Sequence, residues 1–195
     1  MTGRGGTATV EAKQALRREL LAARRAMAAP EREQVAEAVA LHLLAERVVA
    51  RARRVAAYRS MAIEPGTSPL LTQLHARGVE VLVPVVVGES LDWVRDDPAQ
   101  PVERGVLGIE EPAGERLGVD ALHAVDVIIA PALAVDHAGR RLGRGAGYYD
   151  RALAEAGAPV IAVVHSRELL PVVPSEPHDV PVPLVATESG IFRVP

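Results

Sequence analysis

The chain predicts an α/β fold of three layers: a mostly parallel sheet with helices on both faces, preceded by an N-terminal helical pair. Three observations carry this. Nearly unbroken apolar runs such as Val125-Asp126-Val127-Ile128-Ile129-Ala130 read as strands buried on both sides, the pattern of parallel sheets covered by helices. Segments with apolar residues at helical spacing lie between these runs, where right-handed crossovers require them. The first quarter of the chain is rich in Ala, Leu, Glu and Arg and carries no strand signal. A length of 195 residues suits a single domain spanning 1–195, since domains run to about 100–200 residues.

Residues 8–27 and 31–53 form the helical pair, with Leu16, Leu20 and Met27, then Val35, Val39 and Leu43, at helical spacing and Pro30 placed to open the second helix. After Arg54 the texture changes to short apolar runs punctuated by Gly and Pro. Val55–Arg59, Val81–Val87, Leu91–Val94, Val125–Ala130 and Val160–Val164 are the expected strands, with helices at Pro69–Arg77 and Tyr148–Ala156. The Pro-rich tail 171–195 wraps the surface, with late strands at Leu184–Thr187 and Gly190–Val194. Aromatics are 3% of a chain that is 49% hydrophobic, so Ala, Val, Leu and Ile build the core. The scarce Trp93 and Tyr58 are either core or stacking platforms.

With 22 basic and 25 acidic residues the net charge is −3, which removes the general electrostatic case for binding nucleic acid or an anionic membrane. No apolar run reaches the roughly 18–20 residues of a membrane helix, and the first ten residues lack a signal-peptide core, so a cytoplasmic location is expected. The absence of Cys excludes a disulfide scaffold, a thiolate metal site and a Cys nucleophile. Lys13 is the only lysine.

The segment Asp136-His137-Ala138-Gly139-Arg140-Arg141-Leu142-Gly143-Arg144-Gly145-Ala146-Gly147-Tyr148-Tyr149-Asp150 follows a buried strand and enters a helix, the place where α/β sheets bind ligands. Gly143, Gly145 and Gly147 allow positive φ, and their N–H groups with the helix start make an anion cradle. Arg140, Arg141 and Arg144 add the positive charge a polyphosphate requires. The loop is neither a Walker A sequence nor the dinucleotide fingerprint. Asp150 would lie close to the bound anion, a repulsion that Mg²⁺ on a phosphate would resolve; the alternative is a carboxylate that merely complements the helix dipole.

The string Asp136-x-x-Gly139-x-Arg141-Leu142-Gly143-x-Gly145-x-Gly147-Tyr148-Tyr149-Asp150, preceded by Ala130-Pro131, resembles the signature of the 5-formyltetrahydrofolate cyclo-ligase family. Four further segments agree in order: Lys13-x-x-Leu16-Arg17, Ser60-Met61-Ala62-Ile63-Glu64, Gly108-Ile109-x-Glu111-Pro112 and Pro174-x-Glu176-x-His178-Asp179. The resemblance implies conversion of 5-formyltetrahydrofolate to 5,10-methenyltetrahydrofolate with ATP as co-substrate and Mg²⁺, releasing ADP and phosphate, by a monomer whose partners are ATP and reduced folate. The other readings are a different ATP-dependent phosphotransferase on the same frame and a non-catalytic nucleotide- or folate-binding protein.

By matching position, the resemblance implies that Lys13 and Arg17 touch ATP phosphates from one helix face, although a solvated basic face is the plainer meaning of such a pair. It implies that Arg141, Leu142, Gly143, Arg144, Gly145, Ala146, Gly147, Tyr148 and Tyr149 wrap the triphosphate, with Arg144 the catalytic residue facing the transferring phosphoryl group. Arg59, Glu64 and Tyr148 would contact folate, Glu64 accepting the N–H edge of the pterin unless it is an ordinary loop carboxylate. Asp150 and Asp179 would hold Mg²⁺, and His178 is a supporting partner of Asp179 or a surface His. The chain departs from the family pattern at Leu107, Ala146 and Pro183, where an aromatic, a Lys and an Asp are common.

Overall fold

The computed structural model describes residues 4–104, 110–154, 156–176 and 179–194. Leu107, Gly108, Ile109 and His178 therefore lie outside the described residues. Helices α1 (Arg4–Ala26), α2 (Ala29–Ala45) and the short α3 (Arg47–Ala50) lead into β1 (Arg54–Ala56), α4 (Ser68–Ala76), β2 (Glu80–Val87), β3 (Ser90–Arg95) and the small strands β4 (Val102–Arg104) and β5 (Glu110–Pro112). Then come β6 (Val127–Pro131), β7 (Ala134–Asp136), β8 (Arg141–Leu142), α5 (Tyr148–Ala154), β9 (Val160–Val163), β10 (Leu169–Leu170), β11 (Leu184–Thr187) and β12 (Gly190–Arg193).

Seven of these strands pair in the order β12-β11-β9-β6-β1-β2-β3. The inner five run parallel, and β12 and β3 close the edges as antiparallel hairpin partners of β11 and β2. Strand period and burial explain the three layers. Val55, Val81, Val83, Val127, Ile129, Ile161 and Val163 face one way, against Val39 and Leu43 of α2 and Leu70 and Leu74 of α4. Their neighbours Ala56, Leu82, Ile128, Ala130 and Ala162 face the other way, against Leu153 of α5 and Leu122. β1 is the strand at which the order reverses: β2, next in the chain, lies on one side of it and β6 on the other. Ligands bind beyond the carboxyl ends of strands at such a switch point.

The expected helical pair is present, and its members serve different surfaces. Leu16 and Leu20 of α1 pack with Leu133, Leu142 and Val173 on a small sheet of β10, β7 and β8 that sequence periodicity did not reveal, its strands being two or three residues long. α2 lies on the main sheet and ends at Ala45, eight residues before the expected Arg53. Glu46 turns extended (φ −65°, ψ 129°) while its N–H caps the carbonyls of His42 and Leu43. The strand expected over Val55–Arg59 stops at Ala56, since the Tyr58 carbonyl accepts a bond from Thr67 Oγ1 (2.6 Å) and the Tyr58 hydroxyl donates to the Pro65 carbonyl (2.8 Å). Trp93 and Tyr58 are both buried in the core. Among the described residues no helix is long and apolar enough to cross a membrane.

Candidate active site

A cleft of ≈ 320 Å³ opens beyond the carboxyl ends of β1 and β6, between the Met61–Glu64 turn, Pro131 and Ala132, and the loop from Gly143 to Asp150. The loop is anchored at its start. Asp136 is fully buried and accepts the N–H groups of Ala138 (2.9 Å), Arg140 (3.0 Å) and Val173 (2.9 Å) and the Arg140 Nε (2.7 Å). Burial alone would raise its carboxyl pKa; these donors outweigh burial and hold it below the ordinary range. Asp136 and Arg140 are thus the loop's internal brace. Gly139 is required there, with φ +77° and a Cβ that would lie 2.5 Å from the Val182 carbonyl oxygen. Gly145 (φ +108°) takes the left-handed turn expected of the cradle, whereas Gly143 does not have positive φ; a Cβ on it would crowd the Arg141 guanidinium at 3.3 Å.

The loop's cations have separate surroundings. Arg141 is buried, donates to the Pro131 carbonyl (3.2 Å) and forms an ion pair with Asp150. Arg144 is 45% exposed, with Nη1 3.1 Å from Met61 Sδ and 3.7 Å from Glu64 Oε1. Glu64 is nearly buried and accepts the Met61 N–H (2.9 Å). Burial pushes its carboxyl pKa up, and the Met61 amide, Arg144 and Arg24 offset only part of that. The Tyr148 ring lies under Arg151 at 5.5 Å. Arg144, Glu64, Tyr148, Tyr149 and Asp150, named on different grounds in the sequence, therefore share one cleft with Gly143, Gly145, Ala146 and Gly147.

Other expected residues are placed differently. Arg17 donates from Nε to the Gly143 carbonyl (2.9 Å) and its guanidinium underlies Gly145, so it backs the loop. Lys13 is buried between Glu176 (2.8 Å) and Asp179 (2.7 Å), whose hydrogen bonds outweigh its desolvation and raise its pKa. The two cations on one face of α1 are thus compatible because carboxylates face one of them. Asp179, expected beside Asp150 on a metal ion, is bonded to Lys13 and to the Glu176 N–H (2.7 Å), and it does not line the cleft. Arg59 borders the cleft, but its guanidinium is bound to Asp96 Oδ1 through Nε (2.7 Å) and Nη2 (2.6 Å). Leu142 is core, and its carbonyl accepts the Leu133 N–H (2.7 Å). Among the described residues no three His, Asp or Glu side chains gather as a metal cage.

One cleft residue was not legible. Arg24, 2% exposed, donates twice to Glu168 (2.7 Å each) and once to the Ala132 carbonyl (2.6 Å), with a longer contact to the Ile63 carbonyl (3.5 Å). It ties α1 to both turns that frame the cleft. In the sequence it is one of several arginines on a charged helix, and its partner lies 144 residues away.

The family model described as 5-formyltetrahydrofolate cyclo-ligase family matches residues 9–188. Over 183 residues the chain is 42% identical to the 5-formyltetrahydrofolate cyclo-ligase of Mycolicibacterium smegmatis, covering 90% of this chain and 93% of that protein. It is 30% identical to the Escherichia coli protein of the same name, covering 87% and 97%. The solved structure of Aquifex aeolicus 5,10-methenyltetrahydrofolate synthetase superimposes with a TM-score of 0.81 at 31% identity, over 93% of this chain and 92% of that one.

Proposed function

This chain belongs to the 5-formyltetrahydrofolate cyclo-ligase family and is an enzyme of the ligase class, and on that premise we propose that it converts 5-formyltetrahydrofolate to 5,10-methenyltetrahydrofolate with ATP and Mg²⁺, releasing ADP and phosphate. The observation that carries the reading is the meeting, in one cleft at the switch point, of a glycine-arginine loop suited to phosphates and a nearly buried carboxylate suited to a pterin.

The formyl oxygen attacks the γ-phosphorus, the bond from that phosphorus to the β-phosphate oxygen breaks and ADP leaves. Nitrogen 10 then attacks the activated carbon, loses its proton, and phosphate departs with the former formyl oxygen. Little covalent work falls to the protein, so its residues position and neutralise. Glu64 accepts two N–H groups of the pterin, Arg144 swings from Glu64 to the phosphoryl group in transfer, and the loop backbone holds the triphosphate. Mg²⁺ usually takes one or two carboxylates together with substrate phosphates, and Asp150 beside the loop would hold it in that way; bound there, the ion would offset charge on the transferring phosphate. Asp150, although paired with Arg141, lines the cleft, whereas Asp179 does not, so we assign the ion to Asp150 and give Asp179 the task of holding Lys13.

The reading is tested by mixing the protein with ATP, Mg²⁺ and 5-formyltetrahydrofolate and following the methenyl-folate absorbance. One ADP per product is expected, and folded protein that forms none refutes it. Asp150→Asn should raise the Mg²⁺ concentration needed for half-maximal rate several-fold. Its thermal midpoint should fall as well, since buried Arg141 loses its counter-charge. The Mg²⁺ titration is therefore decisive, and an unmoved requirement would send the ion elsewhere.

A further inference from the structure

The chain has no cysteine and three methionines, so its sulfur chemistry rests on very few atoms. Met1 lies outside the described residues, and Met27 is 6% exposed within the core that packs on the main sheet. Met61 is different: it is half-buried in the turn after β1 and lines the cleft. Its Sδ lies 3.1 Å from Arg144 Nη1, in a solvent-exposed contact. The turn itself is held by backbone, since the Met61 N–H donates to the Glu64 carboxylate (2.9 Å) and the Met61 carbonyl accepts the Glu64 N–H (2.9 Å). Chemistry at the sulfur therefore leaves these bonds in place.

A thioether is a weak acceptor, and a guanidinium resting on it leaves readily for a phosphoryl group. A sulfoxide is polar, and its oxygen forms with a cation the stronger, charge-assisted kind of hydrogen bond. With Glu64 Oε1 already 3.7 Å away, Arg144 would then face two strong acceptors where it now faces one and a sulfur.

We propose that Met61 is an oxidation switch: a hydroperoxide converts its thioether to the sulfoxide, and the new oxygen holds Arg144 at the cleft wall, away from the phosphoryl group in transfer. The sulfur lone pair attacks one peroxide oxygen, the O–O bond breaks, and hydrogen peroxide leaves as water; sulfur is oxidised by two electrons and the peroxide reduced by two. The proposal rests on the role given to Arg144 in the proposed function.

The full chain is treated with hydrogen peroxide, and the masses of the Met61 and Met27 peptides are followed beside kcat. Met61 should gain one oxygen about tenfold faster than Met27, kcat should fall about tenfold in step with it, and a methionine sulfoxide reductase should restore both mass and rate. Met61→Leu should keep its own starting rate through the same treatment. In Arg144→Ala the residual kcat should change by less than about twofold when Met61 is oxidised, because the group that the sulfoxide would hold is gone. Met61 left reduced while Met27 oxidises, an oxidised Met61 with kcat within about twofold of the untreated protein, or the same tenfold loss in Arg144→Ala each overturns the switch and leaves the proposed function standing. A thermal midpoint lowered by several degrees on oxidation overturns it too, since the lost rate would then come from unfolding. If the untreated, folded protein forms no methenyl-folate, the proposed function fails and the switch with it.

Discussion

Arg144→Ala is expected to lower kcat for methenyl-folate formation by about a thousandfold, the lower end of what an arginine on a transferring phosphoryl group contributes. The thermal midpoint should hardly move. Arg144 has nearly half its side chain in solvent and, among the described residues, is tethered only by a sulfur contact and a 3.7 Å approach to Glu64, so its removal should change stability by no more than about 0.5 kcal/mol. Arg144→Lys keeps the charge and loses the planar fork, so it should recover only part of the rate. There is a pH signature as well. Burial raises the Glu64 carboxyl pKa and Arg144 is one of the cations that restrain it. Glu64 must be ionised to accept the pterin N–H groups, so activity falls as pH drops through its pKa. Without Arg144 that pKa climbs, and the acid limb of the kcat/KM profile for folate should move to higher pH. Rate, midpoint and acid limb measured on the same three proteins decide it: a near-normal rate, or an acid limb that moves down, would remove Arg144 from the reaction.

The fold was legible wherever one strand face meets a helix. The parallel core strands announce themselves because both faces are buried, and the two late strands were read as strands, but not their pairing as a hairpin about Glu188-Ser189 nor the burial of β11 inside the main sheet. The β7, β8 and β10 sheet was not legible: Leu133, Leu142 and Val173 are a scattered apolar set made into a surface only by α1 lying across it. The site divides in the same way. The 136–150 loop is written contiguously, so its location could be read from order alone, although periodicity says nothing of which arginine faces the cleft. Arg140 and Arg141 are neighbours in sequence, yet one braces Asp136 and the other meets Asp150. The pairing of Asp179 with Lys13 was not legible either, because the two lie 166 residues apart and the same carboxylate chemistry serves Mg²⁺ and an ammonium.

Glu168→Gln should destabilise the protein by about 3–5 kcal/mol, the cost of leaving a buried charge without its partner. In a domain of this size each kcal/mol lowers the midpoint by about 2–4 °C, so the shift is well outside measurement error. Both members are sealed from solvent, and both carboxylate oxygens are used, Oε2 also accepting the His165 N–H at 2.8 Å. Arg24→Met should cost as much, since it strands Glu168 and takes the donor from the Ala132 carbonyl. The double variant with Met at 24 and Leu at 168 separates charge from architecture. It has no buried ion, so it should regain a good part of the stability lost in either single variant. It should not regain folate affinity, because the Ala132 and Ile63 carbonyls have lost the guanidinium that joins the turns after β6 and β1, and Glu64 follows Ile63 directly. Unfolding curves for the four proteins, read beside KM for 5-formyltetrahydrofolate, test both halves. Singles within about 1 kcal/mol of wild type would show that the pair is not a structural keystone. A double variant with wild-type KM would show that Arg24 steadies the fold without setting the geometry at Glu64.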